Sequence, residues 1–167
     1  LSQIAVSQFV IAFSFAVVFG SLVEYFVHRW MHDGKVLKIR HAKHHRNLDG
    51  QGWWGEFKDY FLPGLAIIWV GFLVSIPAGL GFATGALGYA AFAAYAHQVQ
   101  HERPELVFWL PRPVHYLHHR ENMWRHNFGI SLDIWDRLFA TYKPVDWQPE
   151  RRARDYPLKS FVDITWY

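Results

Sequence analysis

No cysteine occurs among the 167 residues, and methionine only twice. Without thiolates the chain carries no disulfide, no Cys-ligated zinc and no iron–sulfur cluster of its own, as suits a cytosol-facing protein. Charge is also missing, but only in places. Asp, Glu, Lys and Arg are absent from residues 1–23 and again from 60–101, a run of 42 positions. There is no low-complexity tract, no dinucleotide fingerprint and no haem motif, so electrons for any redox chemistry must come from a separate protein.

The uncharged runs are long enough to matter. About 20 apolar residues cross a hydrocarbon core of roughly 30 Å. The first run reads as one membrane helix over about 4–26. The second is too long for one span and holds two short ones, about 60–76 and 82–98, with Ile76–Gly81 as the turn. Gly81 and Gly85 form a GxxxG pair that serves either helix contact or the turn. Seven Lys and Arg lie in 28–58, ten in 103–159, and none before 28 or in the hairpin. That asymmetry puts 28–58 and 99–167 on the cytoplasmic side. The expected fold is a single all-α integral membrane domain over 1–167, with about three transmembrane helices (one plus a hairpin) and a cytosolic helical cap. It would sit in a bacterial inner membrane or the endoplasmic reticulum.

The pI near 9.2 then reflects a basic cap against anionic lipid, and no nucleic acid is expected as a partner. Trp53, Trp54, Phe57, Tyr60 and Phe61 read as an interfacial aromatic belt or as aromatics of the cap. Because residue 1 is Leu rather than Met, upstream residues are expected, with room for a further span. A signal peptide is not, since no basic stretch precedes the first apolar run.

What the chain has in excess is histidine. Ten of its eleven fall into four clusters: His28 and His32; His41, His44 and His45; His97 and His101; His115, His118 and His119. Written as motifs these are HxxxH, HxxHH, HxxxH and HxxHH. Residues at i, i+3 and i+4 share a helix face, so each cluster aims its imidazoles one way. Each pair follows the inner end of an apolar run, and each triplet lies in the polar segment after it. The pattern predicts a His-rich site in the cap with two metals, because ten ligands overfill one coordination sphere. Neutral imidazoles ligate, so affinity should fall below about pH 6.5.

From about Glu24 to Tyr142 the chain resembles the fatty acid hydroxylase superfamily of membrane oxygenases. Glu24-Tyr25-Phe26-Val27-His28-Arg29 is similar to the first histidine box of fatty acid 2-hydroxylases, and Gly88-Tyr89 with His97 and His101 to their third. Asn127-Phe128-Gly129-Ile130-Ser131 and Trp135-Asp136-Arg137-Leu138-Phe139 resemble the family tail. The first box has one residue fewer between its histidines than those enzymes, Ala140 stands where many members have Gly, and no cytochrome b5-like stretch lies within these residues. The resemblance implies two iron ions (zinc can replace them on purification) that use O2 to hydroxylate an unactivated C–H bond of a membrane lipid. It also implies a separate ferredoxin or cytochrome b5-type donor. The substrate stays open, and so do desaturation of an acyl chain or sterol, carotenoid hydroxylation and the oligomeric state. A membrane zinc hydrolase and a non-catalytic scaffold subunit are the readings from other classes.

Beyond the ten histidines, Glu24, Asn127 and Asp136 are candidates for the shell around the ligands. Glu24, one turn before His28, would fix an imidazole tautomer or else snorkel to water. Asp136 would support a ligand or form an ion pair, and Asn127 would hydrogen-bond a ligand or be structural. His126 fits no cluster and is expected to be structural. The tail from Lys143, with Glu150–Asp155, is expected to be solvated or to face lipid head groups.

Overall fold

The computed structural model describes residues 2–167, and among these every regular element is helical. Six α-helices follow in order: α1 (Gln3–His32), α2 (Lys38–Asn47), α3 (Trp53–Gly64), α4 (Ile76–Glu102), α5 (Val114–Arg120) and α6 (Ile134–Leu138). Short 3-10 turns lie between and after them. Two helices, α1 and α4, are long and apolar enough to cross a membrane.

α1 and α4 pack along their length and run parallel. Phe9 lies against Gly81, Phe13 against Gly85, and Gly20 against Tyr89. A Cβ at Gly81 or Gly85 would collide with the carbonyl oxygens of Phe9 and Phe13, so the glycines serve helix contact rather than a turn. The rest of α1 exposes a large apolar surface, including Ile4, Ile11, Phe15 and Val18. In water such a surface would be a liability; in lipid it is the normal exterior.

Parallel neighbours need a return path, and here the structure departs from the expected hairpin. The segment 60–76 is no continuous helix. α3 ends at Gly64 just after Pro63, the chain then turns irregularly, and a 3-10 turn covers Val70–Leu73. The bend expected at Ile76–Gly81 is instead the first turn of α4. Pro77 is tolerated there because the opening N–H groups of a helix have no internal partner. Ser75 caps that end, its Oγ accepting from Ala78 N at 3.2 Å and donating to Gln8 at 3.0 Å. The start of α4 therefore sits beside the start of α1, and their C-terminal ends meet.

The last segment also differs from expectation. The run 150–155 is largely exposed, but residues 161–166 dock onto the cap. Ile164 is buried with Val99, Leu106, Val107, Leu110 and Val114. Tyr95 donates to the Phe161 carbonyl at 2.8 Å, and Trp53 N donates to Thr165 O at 2.9 Å. Phe161 and Ile164 supply apolar area that outweighs the polar average of the tail.

Candidate metal centre

The C-terminal ends of α1 and α4, together with α2 and α5, bring all four clusters together. Nine of the ten histidines form two groups whose ligand atoms lie within 4.8 Å of one another. One group is His28, His32, His41, His45 and His118; the other is His44, His101, His115 and His119. The clusters are exchanged rather than kept whole. His41 and His45, a full turn apart on α2, join the pair from α1, while the intervening His44 joins α4. On α5, His115 and His119 join α4, while His118 joins α1. A residue at i+3 is displaced around the helix from i and i+4, so one short helix can serve two centres.

In the first group His32 Nε2 lies 2.8 Å from His41 Nε2, 2.9 Å from His118 Nε2, 3.2 Å from His45 Nε2 and 3.3 Å from His28 Nε2. In the second, His115 Nε2 is 3.2 Å from both His101 Nε2 and His119 Nε2. The rings of His45 and His119, one from each group, have centroids 4.0 Å apart.

Backbone carbonyls fix the tautomers. His28 Nδ1 donates to Phe128 O at 2.6 Å, His118 Nδ1 to His126 O at 2.7 Å, His44 Nδ1 to Asp49 O at 2.9 Å and His101 Nδ1 to Leu48 O at 3.1 Å. A carbonyl only accepts, so each Nδ1 carries the hydrogen and each Nε2 presents a lone pair. Lone pairs converging at 3 Å repel unless a cation lies among them. One proton on His32 could satisfy one of its four contacts, not all. Imidazoles about 2.0–2.1 Å from a shared ion stand roughly 3.0–3.4 Å apart, close to the spacing found. Burial, with neighbouring imidazoles, lowers His41 to about 2 and His44 to about 4, and burial alone lowers His45 to about 4. Burial likewise pushes His115, His118 and His119 well down. These rings are neutral at pH 7, which is the ligating form. The donor set fits a pair of metal ions.

The tenth histidine, His97, is buried beside the second group, its ring 4.6 Å from that of His115 and 4.7 Å from that of His101. Its Nδ1 lies 3.0 Å from Glu56 Oε1. Glu56 is a residue that sequence reasoning missed. Its signal was a carboxylate inside the aromatic stretch Trp53–Phe61, one turn before the exposed Asp59 that pairs with Arg40.

Glu24 and Asp136 act one step further out than expected. Neither touches an imidazole. Glu24 Oε1 accepts from Ile130 N at 3.1 Å and Ser131 N at 3.0 Å, and Oε2 accepts from Tyr89 at 3.0 Å. Asp136 accepts from Phe128 N at 2.8 Å, Gly129 N at 2.6 Å and Thr141 Oγ1 at 2.7 Å, and forms no ion pair among the described residues. Two buried carboxylates thus hold the 128–131 loop that presents the Phe128 carbonyl to His28. The reason is backbone accounting: four N–H groups in a buried loop need acceptors. Asn127, at φ 59°, also meets no ligand; it pairs through both side-chain ends with the Lys143 backbone at 2.8 and 2.9 Å. His126 contributes its carbonyl to His118. Ala140 has φ 55°, a conformation that favours glycine, which accounts for the glycine common in the resembled family.

Comparison with known proteins points the same way. The family model described as fatty acid hydroxylase matches residues 13–141. The fatty acid 2-hydroxylase of Rattus norvegicus is 26% identical over 164 residues, covering 86% of this chain and 42% of that protein. Sphinganine C4-monooxygenase 2 of Arabidopsis thaliana is 30% identical over 144 residues, covering 78% of this chain and 52% of that protein. Sphinganine C4-monooxygenase 1 of the same plant is 29% identical, with 84% and 58% covered. The chain spans about half the length of the curated relatives it matches. No solved structure matches it.

Proposed function

Because this chain belongs to the fatty acid hydroxylase family, we propose that it is the oxygenase domain of a multi-pass membrane lipid hydroxylase. Two iron ions would be held, one by His28, His32, His41, His45 and His118, the other by His44, His101, His115 and His119 with His97 beside them. The irons supply the O2 activation that a C–H bond demands, since acid–base groups cannot break such a bond near neutral pH. The balance is R–H + O2 + two electrons + two protons giving R–OH + H2O, with the electrons from a separate ferredoxin or cytochrome b5-type protein.

The chain's own residues do the positioning. α1 and α4 carry their histidine pairs to the cytoplasmic side of the bilayer, where a lipid arrives laterally and electrons arrive from solution. α3 and the irregular segment 65–75 together return the chain along α4 as a third crossing, which two parallel spans require. Carbonyls 48, 49, 126 and 128 keep four Nε2 atoms free for metal. The exchange of clusters between two closely spaced groups is the observation that carries this reading. Both kinds of relative are named as hydroxylase or monooxygenase, which favours oxygen insertion over desaturation.

Native membranes expressing the chain with its reductase should yield protein with two irons and, only under O2, a lipid gaining one oxygen atom. Protein purified without chelators that carries no iron, or turnover that persists anaerobically, would overturn the proposal.

A further inference from the structure

A cavity of about 450 Å³ opens beside the five-histidine group, lined by Arg29, His32, Asp33, Trp124, Arg125 and Phe128. His32 belongs to the group and to the cavity wall together. Its ring meets the Trp124 ring edge-on at 4.6 Å, and its Nδ1 is buried without a hydrogen-bond partner. With Nε2 turned to the metal position, Nδ1 carries an unspent hydrogen.

The charges around it are unbalanced. Arg29 is half-buried, reaches the Tyr25 hydroxyl at 3.4 Å and lies over the Phe128 ring at 5.9 Å. Among the described residues neither Arg29 nor Arg125 has a carboxylate within ion-pairing distance, whereas Arg40, Arg103, Arg120 and Arg137 each have one. Asp33, the one acid on the wall, is paired with Lys35 at 3.4 Å. A partly buried guanidinium without a counter-charge is costly, and its planar fork matches an oxyanion. Position along α1 supplies the rest. The uncharged run ends at Val23, so Arg29 stands about 9 Å beyond it, at the depth of lipid head groups.

We propose that this cavity binds the anionic head group of an acyl lipid, a carboxylate or phosphate held between Arg29 and Arg125 beside the His32 ring. The site decides which end of the lipid lies beside the five-histidine group. It deepens the hydroxylase reading and rests on it for its purpose, but its occupancy can be read without turnover.

The test uses the full chain in phosphatidylcholine nanodiscs with spin-labelled palmitic acid, its methyl ester and labelled phosphatidic acid. The acid and phosphatidic acid should bind at least about tenfold more tightly than the ester. The double variant R29Q/R125Q should lose that preference and leave ester binding and metal content unchanged, while R151Q/R152Q, in the exposed tail, should change nothing. If the double variant fails to fold, R29K alone should weaken binding of both acids while retaining the metals, because it keeps charge and loses the fork. Equal binding of acid and ester, or unchanged binding in the Arg29 variants, would overturn the proposal. So would competition by millimolar inorganic phosphate as effective as that of the lipid. Arg-dependent binding without oxygen insertion would instead sink the hydroxylase reading and leave the head-group site standing.

Discussion

The two histidine groups are built alike but not finished alike. The first closes four imidazoles around His32, which touches each of them through Nε2. The second joins four histidines more loosely, with His115 touching two, and sets His97 beside them on a buried carboxylate. Every other fixed Nδ1 rests on a neutral carbonyl. A carboxylate behind an imidazole raises its basicity and holds its ring, so Glu56 would set His97 apart from the other nine histidines in charge as well as in position. The first group is set by packing alone; the second has a buried charge at its edge.

The largest effect expected follows from that contrast. His32→Ala should remove the hub of the first group, empty its metal and abolish turnover, whereas His101→Ala should cost the second group its ion and leave the first bound. Anomalous iron-edge peaks vanishing from the same group in both variants would erase the distinction. Asp136→Ala comes next. It strips three donors of their buried acceptor, at about 1–3 kcal/mol each, and should lower thermal stability while disturbing the first group through Phe128 and His28. Thermal melts with metal analysis of both groups check it; a change at the second group first would be the wrong result. Glu56→Gln should spare the fold and the first ion and reduce activity or second-ion affinity about 10–100-fold. A Mössbauer spectrum showing only one of two iron signals altered is the expected signature. Ala140→Gly is the smallest and goes the other way. It should stabilise by about 1 kcal/mol by relieving the left-handed backbone, with neither metal affected.

Sequence carried much of this. The four clusters, their place after apolar runs and the importance of the segments around Asn127 and Asp136 are all legible, because helical spacing and charge segregation are local signals. The return segment was not. Its apolar composition matched a span, but Pro63, Gly64 and Gly71 broke it, and Gly71 is small because it packs against the start of α4. Helix continuity there depends on a neighbour, not on hydropathy. The exchange of His44 and His118 between groups was also hidden, since spacing says which residues share a face but not which centre each meets. The acceptors that fix the tautomers are mostly backbone carbonyls, which no side-chain pattern encodes. Leu48, held at φ 59° where its carbonyl receives His101, shows that the chain accepts strain to place one of them.

Anomalous diffraction at the iron edge, from protein purified with its native metals, tests the central claim most directly. The account predicts two peaks, one enclosed by His28, His32, His41, His45 and His118 and the other by His44, His101, His115 and His119. A single peak, or peaks that keep each HxxHH triplet on one ion, would contradict it.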